Sequence, residues 1–482
     1  MNNFPDINFS NKSMVDDFGR VFFYKNRVFR KVNLDKKEYC IELLNSDLFS
    51  ELTQKNLIPP TKISNEFGSS DELILEHKKI LETLQHEWSF QMYKDAALMV
   101  LEVNKICNYH GYELKDAHTL NVLFDNFSPV FIDFGSISKL NQKSKKGFWI
   151  AYDEFLNSFF VPLLFWSNNR HYIVRKLLES NFHRMVTIPH QSLRKSGLLD
   201  IVGIPDFEFS FSLKNRIIFT SKRRYSLIAF ITKLGNFLSK KILKKRNKIF
   251  KYEQISFELD SLFLKESIQQ KILNLKFPSA SSQWNGYHKK FYDEINHIKY
   301  PKRFKKLLEI IKNHQDIKNV IDLAGNEGYF SILLSQEANL DRIVLADYDE
   351  NVIDNAYENF KKLNISNITP ILLNFMFTID LPGTAKRYQS DLVIALAITH
   401  HLILSHDYSL STILERLVLF SNKYVMVEFM PLGLWSIENK IAANLPKWYS
   451  IDWFRGEFVK HFDILLEEQL EENRIVFFGK IL

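Results

Sequence analysis

Residues 320–334, Val320-Ile-Asp-Leu-Ala-Gly-Asn-Glu-Gly-Tyr-Phe-Ser-Ile-Leu-Leu, set an acid and two glycines at the spacing D-x-x-G-x-x-G: Asp322, Gly325 and Gly328. An apolar run, a glycine turn and a second apolar run predict a buried strand, a tight turn and a helix. Glycine serves where backbone passes close to a bound molecule or takes φ > 0. The helix N-terminus that follows adds free N–H groups and partial positive charge. A further apolar run, Arg342–Ala346, ends in Asp347, 22 residues beyond Gly325. An acid placed there suits a bidentate hydrogen bond to ribose hydroxyls. The dinucleotide fingerprint G-x-G-x-x-G is not met, because Ala324-Gly325-Asn326 lacks the first glycine. Asp322 would also put a carboxylate where a pyrophosphate should sit, whereas a carboxylate suits an ammonium group.

A fourth apolar run, Asp391–Ala397, leads directly into His400 and His401. Histidine titrates near neutral pH and can take the proton of a hydroxyl acceptor. The competing reading of each is a helix cap or a pocket wall, with His400 ahead on strand register. Asn374, after the third run, is placed to read an adenine edge or to hold its own loop. Glu428, near the end of the fifth, orients an acceptor or caps. No N-P-P-Y or D-P-P-Y follows the fourth run and no Cys occurs in 284–482. This speaks against amino-group methylation of adenine, cytosine or glutamine, and against cysteine-dependent cytosine chemistry.

A second constellation lies upstream. Asp116 and Asn121 have the D-x-x-x-x-N spacing of a kinase catalytic loop, and Asp133-Phe134-Gly135 matches a magnesium-binding D-F-G. Phosphotransfer needs a carboxylate by the attacking hydroxyl, with an amide and a second carboxylate on Mg²⁺. A hairpin over residues 19–32, turning at Lys25-Asn26, would supply Lys31 as the phosphate-binding lysine. Residues 1–275 thus resemble a small-molecule kinase fold, with Mg-ATP as the implied ligand and Asn121 and Asp133 as its metal ligands. Two features depart from it: Leu114-Lys115 replaces His-Arg or His-Gly, and no G-x-G-x-x-G covers the phosphates.

The elements that position these residues divide the chain. At 482 residues it has room for two or three domains. Helices are predicted at about 36–53 and 89–109, strands near 60–63 and 72–77, and a hairpin of 121–125 with 130–134. Residues 148–272 read as mostly helical, and the stripe Trp149, Tyr152, Phe155, Phe159 and Phe160 as core. Residues 276–283, around Phe277-Pro278-Ser-Ala-Ser-Ser, read as a linker. From 284 to 482 strand and helix alternate, as a doubly wound sheet requires. The end, 462–468 and 474–482, reads as an antiparallel hairpin. The domains are therefore 1–275, with a small lobe at about 1–88 and a helical lobe at about 89–275, and 284–482.

The set Trp284 and Tyr287, D-L-A-G-N-E-G-Y-F-S (322–331), L-A-D-Y-D (345–349), I-A-L-A-I-T-H-H-L (394–402) and V-E-F (427–429) resembles class I S-adenosylmethionine-dependent methyltransferases with a long N-terminal extension, of the nodulation host-specificity and surface-polysaccharide type. Ala324 departs from the glycine turn usual there. The resemblance implies a Rossmann-like α/β domain with a mixed seven-stranded sheet, preceded by an α+β kinase-like domain with a helical second lobe. It implies S-adenosylmethionine held by Asp322, Gly325, Asn326, Gly328, Asp347, Tyr348 and Asn374, and no metal in that domain. The acceptor it implies is a sugar, glycan or related small molecule, methylated on oxygen. The alternatives are a bifunctional kinase–methyltransferase or kinase-like phosphotransferase, and a non-catalytic module that binds S-adenosylmethionine.

Composition is that of a soluble globular protein, with 46% hydrophobic and 25% charged residues. Two cysteines, Cys40 and Cys107, without metal-like spacing fit a reducing compartment. The N-terminal residues lack signal-peptide features and no apolar run reaches 18 residues, so a cytoplasmic enzyme is expected. Of the net charge of +7, residues 222–251 carry eleven Lys or Arg and no acid. That segment is a core-packing helix with a solvated face or a basic amphipathic helix that contacts the inner membrane surface peripherally; nucleic acid is a weaker reading.

Overall fold

The computed structural model describes residues 7–14, 16–68, 72–140, 149–179, 261–278, 300–378, 380–434 and 444–482. The basic segment 222–251, most of the linker, Trp284 and Tyr287 lie outside the described residues. Among the described residues, no helix is long and apolar enough to cross a membrane. The chain divides into two compact units, one of 1–79, 96–122 and 131–278, the other of 80–95, 123–130 and 279–482. A single cut near 276–283 does not reproduce this division.

The first unit carries an antiparallel sheet in the order β1-β2-β3-β5-β4. Its strands are β1 (Asn8–Phe9), β2 (Gly19–Tyr24), β3 (Arg27–Val32), β4 (Thr61–Ile63) and β5 (Ile74–His77). The β2–β3 hairpin turns at Lys25-Asn26, both at positive φ (45° and 63°), the twist that two-residue hairpin loops favour. The helical run expected over 36–53 is two helices, Lys37–Leu44 and Asp47–Gln54, because Ser46 caps the second through Phe49 N at 3.2 Å. After the helix Phe90–Tyr109, β6 (Tyr112–Leu114) pairs with β9 (Ile137–Lys139). Between them, β7 (Val122–Asp125) and β8 (Ser128–Phe131) form a hairpin whose turn uses Asn126 at φ 62°. The second strand thus starts earlier than 130, and Phe134–Ser136 is a short helical turn. Trp149, Phe155, Phe159 and Phe160 are buried as core.

The second unit holds a seven-stranded sheet in the order β12-β11-β10-β13-β14-β16-β15. Its strands are β10 (Asn319–Leu323), β11 (Arg342–Asp347), β12 (Ile368–Leu372), β13 (Ser390–Ala395), β14 (Ser421–Phe429), β15 (Phe462–Glu471) and β16 (Arg474–Ile481). Strands β10–β14 are parallel, and β16 runs antiparallel to β14 and β15. Successive residues feed opposite faces: Ile343 and Leu345 enter one core, Val344 and Ala346 the other. Burial on both faces explains why these strands read as unbroken apolar runs. The terminal antiparallel hairpin separates this sheet from the dehydrogenase type. It gives the unit a Rossmann-like α/β fold with a mixed seven-stranded sheet.

Residues 80–95 complete this unit. Glu87, 1% exposed, accepts from Arg387 at 2.6 and 2.9 Å and from Tyr388 Oη at 2.5 Å. Asp354 accepts from Gln91 N at 2.7 Å, and Asp95 accepts from Tyr357 Oη at 2.8 Å and from Lys361. Phe124, from the 123–130 excursion, packs on Trp88 and Tyr357.

Candidate functional site

The order of the second sheet reverses at β10, which has β11 on one side and β13 on the other, so a crevice opens beyond their C-terminal ends. The turn leaving β10 enters the helix Tyr329–Glu337 through Ala324 (φ 54°), Asn326 (φ 52°) and Gly328 (φ 75°). Asparagine and glycine tolerate that region; alanine there costs about 1–2 kcal/mol. A Cβ on Gly325 would lie 2.6 Å from Asp322 Cγ and from Leu345 Cδ1. One on Gly328 would lie 2.7 Å from Leu345 Cδ2 and 2.8 Å from Phe360 Cζ. Both glycines are therefore needed by the packing of the turn itself.

Two of the expected cofactor residues, Asp347 and Asn326, are joined by a hydrogen bond. Asp347 Oδ2 accepts from Asn326 N at 3.0 Å and its Oδ1 from Asp349 N at 3.0 Å. Burial pushes the Asp347 carboxyl up to about 6 against the pull of those amides. Asp322 is buried, and its Oδ2 accepts from Ser331 Oγ at 2.7 Å. Burial pushes it up to about 7, with Asp347 adding to the rise and Ser331 opposing it. Two buried carboxyls with raised affinity for protons flank one glycine turn. That donor set fits a ligand carrying both positive charge and ribose hydroxyls.

The Tyr348 side chain is 56% exposed beside Asp347. Asn374 is exposed, and its Oδ1 accepts from Met376 N (3.1 Å) and Phe377 N (3.2 Å), so its carboxamide oxygen holds its own turn. Only its amide nitrogen could read a base edge. Sequence reasoning missed Ser331 and Glu327. Glu327 is buried and accepts from Asn355 Nδ2 at 3.0 Å, tying the turn to the helix Glu350–Leu363. A serine inside the apolar run 329–334 was the available signal for Ser331.

His400 and His401 sit on the short helix Thr399–Leu404, beyond β13. Asp322 pairs in register with Ile394 of β13, so glycine turn and histidines follow strands that end on the same sheet edge. The two imidazoles lie 4.1 Å apart, centroid to centroid. His400 is buried, its Nδ1 has no partner among the described residues, and burial, with His401 and Arg474 nearby, pushes it down to about 3. Burial and His406 lower His401 as well. Burial thus favours the neutral form of both imidazoles. His401 is half-buried and the more accessible of the two. Glu428 is fully buried between Arg474 (2.6 Å) and Arg303 (3.5 Å), so its carboxylate is already engaged.

In the first unit, Asp133 Oδ1 accepts from Gly135 N at 3.0 Å. Burial raises the Asp133 carboxyl, Arg30 opposes the rise, and Asp16 and Asp116 add to it. Ser136 Oγ bridges to Asp116, accepting from its N–H (3.0 Å) and donating to its C=O (2.9 Å). Asn121 is buried, its C=O accepts from Ile132 N at 2.9 Å, and its Nδ2 has no partner among the described residues. Lys31 is not the cation facing this group: its ammonium pairs with Glu72 at 2.5 Å, while Arg30 lies 4.0 Å from Asp133 Oδ1. Among the described residues no group of three or more His, Cys, Asp or Glu is assembled that could hold a metal ion.

No protein-family model matches the chain. It is 23% identical over 453 residues to nodulation protein NoeA of Rhizobium meliloti (strain 1021), covering 90% of this chain and 87% of that protein. Among solved structures it is similar to the PH0226 protein of Pyrococcus horikoshii OT3, at 18% identity and a TM-score of 0.33, over 41% of this chain and 99% of that one. It is similar to magnesium protoporphyrin IX methyltransferase of Synechocystis PCC 6803 with bound S-adenosylmethionine, at 12% identity and a TM-score of 0.29, over 42% and 100%. It is similar also to an S-adenosylmethionine-dependent methyltransferase of Clostridium acetobutylicum ATCC 824, at 10% identity and a TM-score of 0.31, over 42% and 99%.

Proposed function

We propose that the second unit is an S-adenosylmethionine-dependent methyltransferase acting on a hydroxyl of a sugar, glycan or related metabolite. The observation that carries this reading is the glycine turn flanked by buried Asp322 and Asp347 at the reversal point of a methyltransferase-type sheet. Asp347, with Tyr348 alongside, takes the ribose hydroxyls; Asp322 and the backbone of Gly325, Asn326 and Gly328 take the amino-acid end; Asn374 offers its amide nitrogen to the base. The bound sulfonium supplies an electrophilic methyl group and leaves as a neutral thioether. The chain's own work is to align acceptor oxygen, methyl carbon and sulfur, and to take up the acceptor's proton at His401 or His400. Neutral imidazoles support the second task, since a base must be unprotonated before it acts. A sugar acceptor is supported by the resemblance to surface-polysaccharide enzymes. The test is isotope-labelled methyl transfer into cell extract: label in a glycan or small metabolite supports the reading, and label in nucleic acid, or in nothing, contradicts it.

A second reading concerns the first unit, which we read as a kinase-like fold that takes a nucleotide. It is favoured by the chain order of antiparallel sheet, long helix, loop 115–121 and Asp133-Phe134-Gly135, and by Arg30 lying 4.0 Å from Asp133, whose carboxyl Asp116 also pushes up. Calorimetry with Mg-ATP tests it, with Asp133→Ala expected to abolish any heat of binding.

A further inference from the structure

Residues Asp16–Phe18 lead into β2 and fold onto the residues just described. Asp16 Oδ2 meets Arg30 Nη1 at 2.5 Å, Asp16 Oδ1 accepts from Phe18 N at 2.9 Å, and Asp17 Oδ1 accepts from Lys115 Nζ at 3.1 Å. Asn33 fastens the same stretch, donating from Nδ2 to Asp17 O (2.8 Å) and from N to Phe18 O (3.0 Å). Gly135 makes room for it: a Cβ there would lie 2.9 Å from Phe18 Cβ, 3.0 Å from Asp16 Oδ1 and 3.3 Å from Asp133 Oδ1. Arg30, beside Asp133, and Lys115, next in sequence to Asp116, are thus both held by carboxylates of a single dipeptide. Burial meanwhile leaves Arg30 Nε, Asn121 Nδ2 and His118 Nδ1 without partners among the described residues. Buried polar groups of this kind call for a ligand or water.

We propose that Asp16–Phe18 is a latch, in which the Asp16 and Asp17 carboxylates occupy Arg30 and Lys115 in place of the phosphates of a nucleotide. The inference rests on the nucleotide reading of this unit. A carboxylate and a phosphate oxygen compete for the same guanidinium and ammonium donors. The folded site therefore does not admit the phosphate chain as it stands. Release of Asp16 and Asp17 frees both cations and withdraws one of the two carboxylates, Asp16 and Asp116, that crowd Asp133. Apparent nucleotide affinity is then lowered by the fraction of molecules in which the latch is open.

The test is calorimetry of the full chain with Mg-ATP, comparing wild type with Asp16→Asn/Asp17→Asn. The double variant should bind at least about tenfold more tightly. Adding Arg30→Gln should remove the gain. Gly135→Ala, whose Cβ has no room while the latch is closed, should raise affinity by a different route. Equal affinity in wild type and double variant overturns the latch and leaves the nucleotide reading standing. Binding by neither overturns both. If the double variant does not fold, amide exchange at Phe18 and Asn33 of the wild type carries the test: it should accelerate at saturating Mg-ATP, and unchanged exchange overturns the latch.

Discussion

Burial of Asp322 makes a pH prediction with a definite sign. Its carboxyl rises from an ordinary 3.8 to about 7 in the folded state. The native protein therefore holds this proton more tightly than the unfolded chain does. The stability this carboxyl contributes is fully present below about pH 4, is lost as pH climbs to about 7, and changes little above. The full rise corresponds to roughly 4 kcal/mol. Asp347, raised to about 6, adds a cost of the same sign over the lower part of that window. For a unit of about 200 residues, roughly 2–4 °C of Tm accompanies each kcal/mol, so the ligand-free protein should lose on the order of 10 °C between pH 5 and pH 8. Asp322→Asn keeps an acceptor for Ser331 Oγ but cannot ionise. It should lose most of the slope between pH 6 and 8 and melt above wild type at pH 8, while failing to bind S-adenosylmethionine. In wild type a cationic ligand restores favourable charge, so its stabilisation should grow as pH rises through the same window. Scanning fluorimetry or calorimetry across pH, with and without ligand, measures all three. A wild-type Tm that rises with pH, or an Asn variant with the wild-type slope, would refute the reasoning.

Further outcomes follow from single contacts. Ala324→Gly relieves the positive φ of 54° and should stabilise the protein by about 1 kcal/mol in urea unfolding; a loss of stability contradicts the strain. Glu87→Ala removes the carboxylate that pairs the half-buried Arg387 guanidinium and accepts from the buried Tyr388 hydroxyl, and should cost about 3–5 kcal/mol, read from the unfolding of the second unit; an effect below about 1 kcal/mol would show that residues 80–95 are not integral to it. His401→Ala and His400→Ala should lower methyl-transfer turnover while cofactor affinity stays put, with the larger loss at His401. Unchanged turnover in both variants removes the histidines from the proton-transfer role.

Much of the second unit was legible because its strands are covered on both faces and show as continuous apolar runs, as Arg342–Ala346 does before Asp347. The glycine turn and the terminal hairpin were visible for the same local reasons. The incorporation of residues 80–95 was not, since Glu87 and Arg387 are 300 positions apart and no periodicity links them. Which of the adjacent cations Arg30 and Lys31 lies nearer Asp133 was not legible, because Phe29 and Arg30 are both buried, breaking the alternation that would have told the two apart. Asn374 was readable in principle: an asparagine whose side chain accepts from the amides two and three residues on is a common turn device.

The central claim concerns one ligand, and calorimetry on the purified full chain addresses it directly. S-adenosylmethionine and its demethylated product should both bind, NAD should not, and Asp347→Ala, which removes the acceptor for Asn326 N and Asp349 N, should weaken binding by about tenfold to a hundredfold. No heat with S-adenosylmethionine at millimolar concentration, or a preference for the dinucleotide, would contradict the assignment.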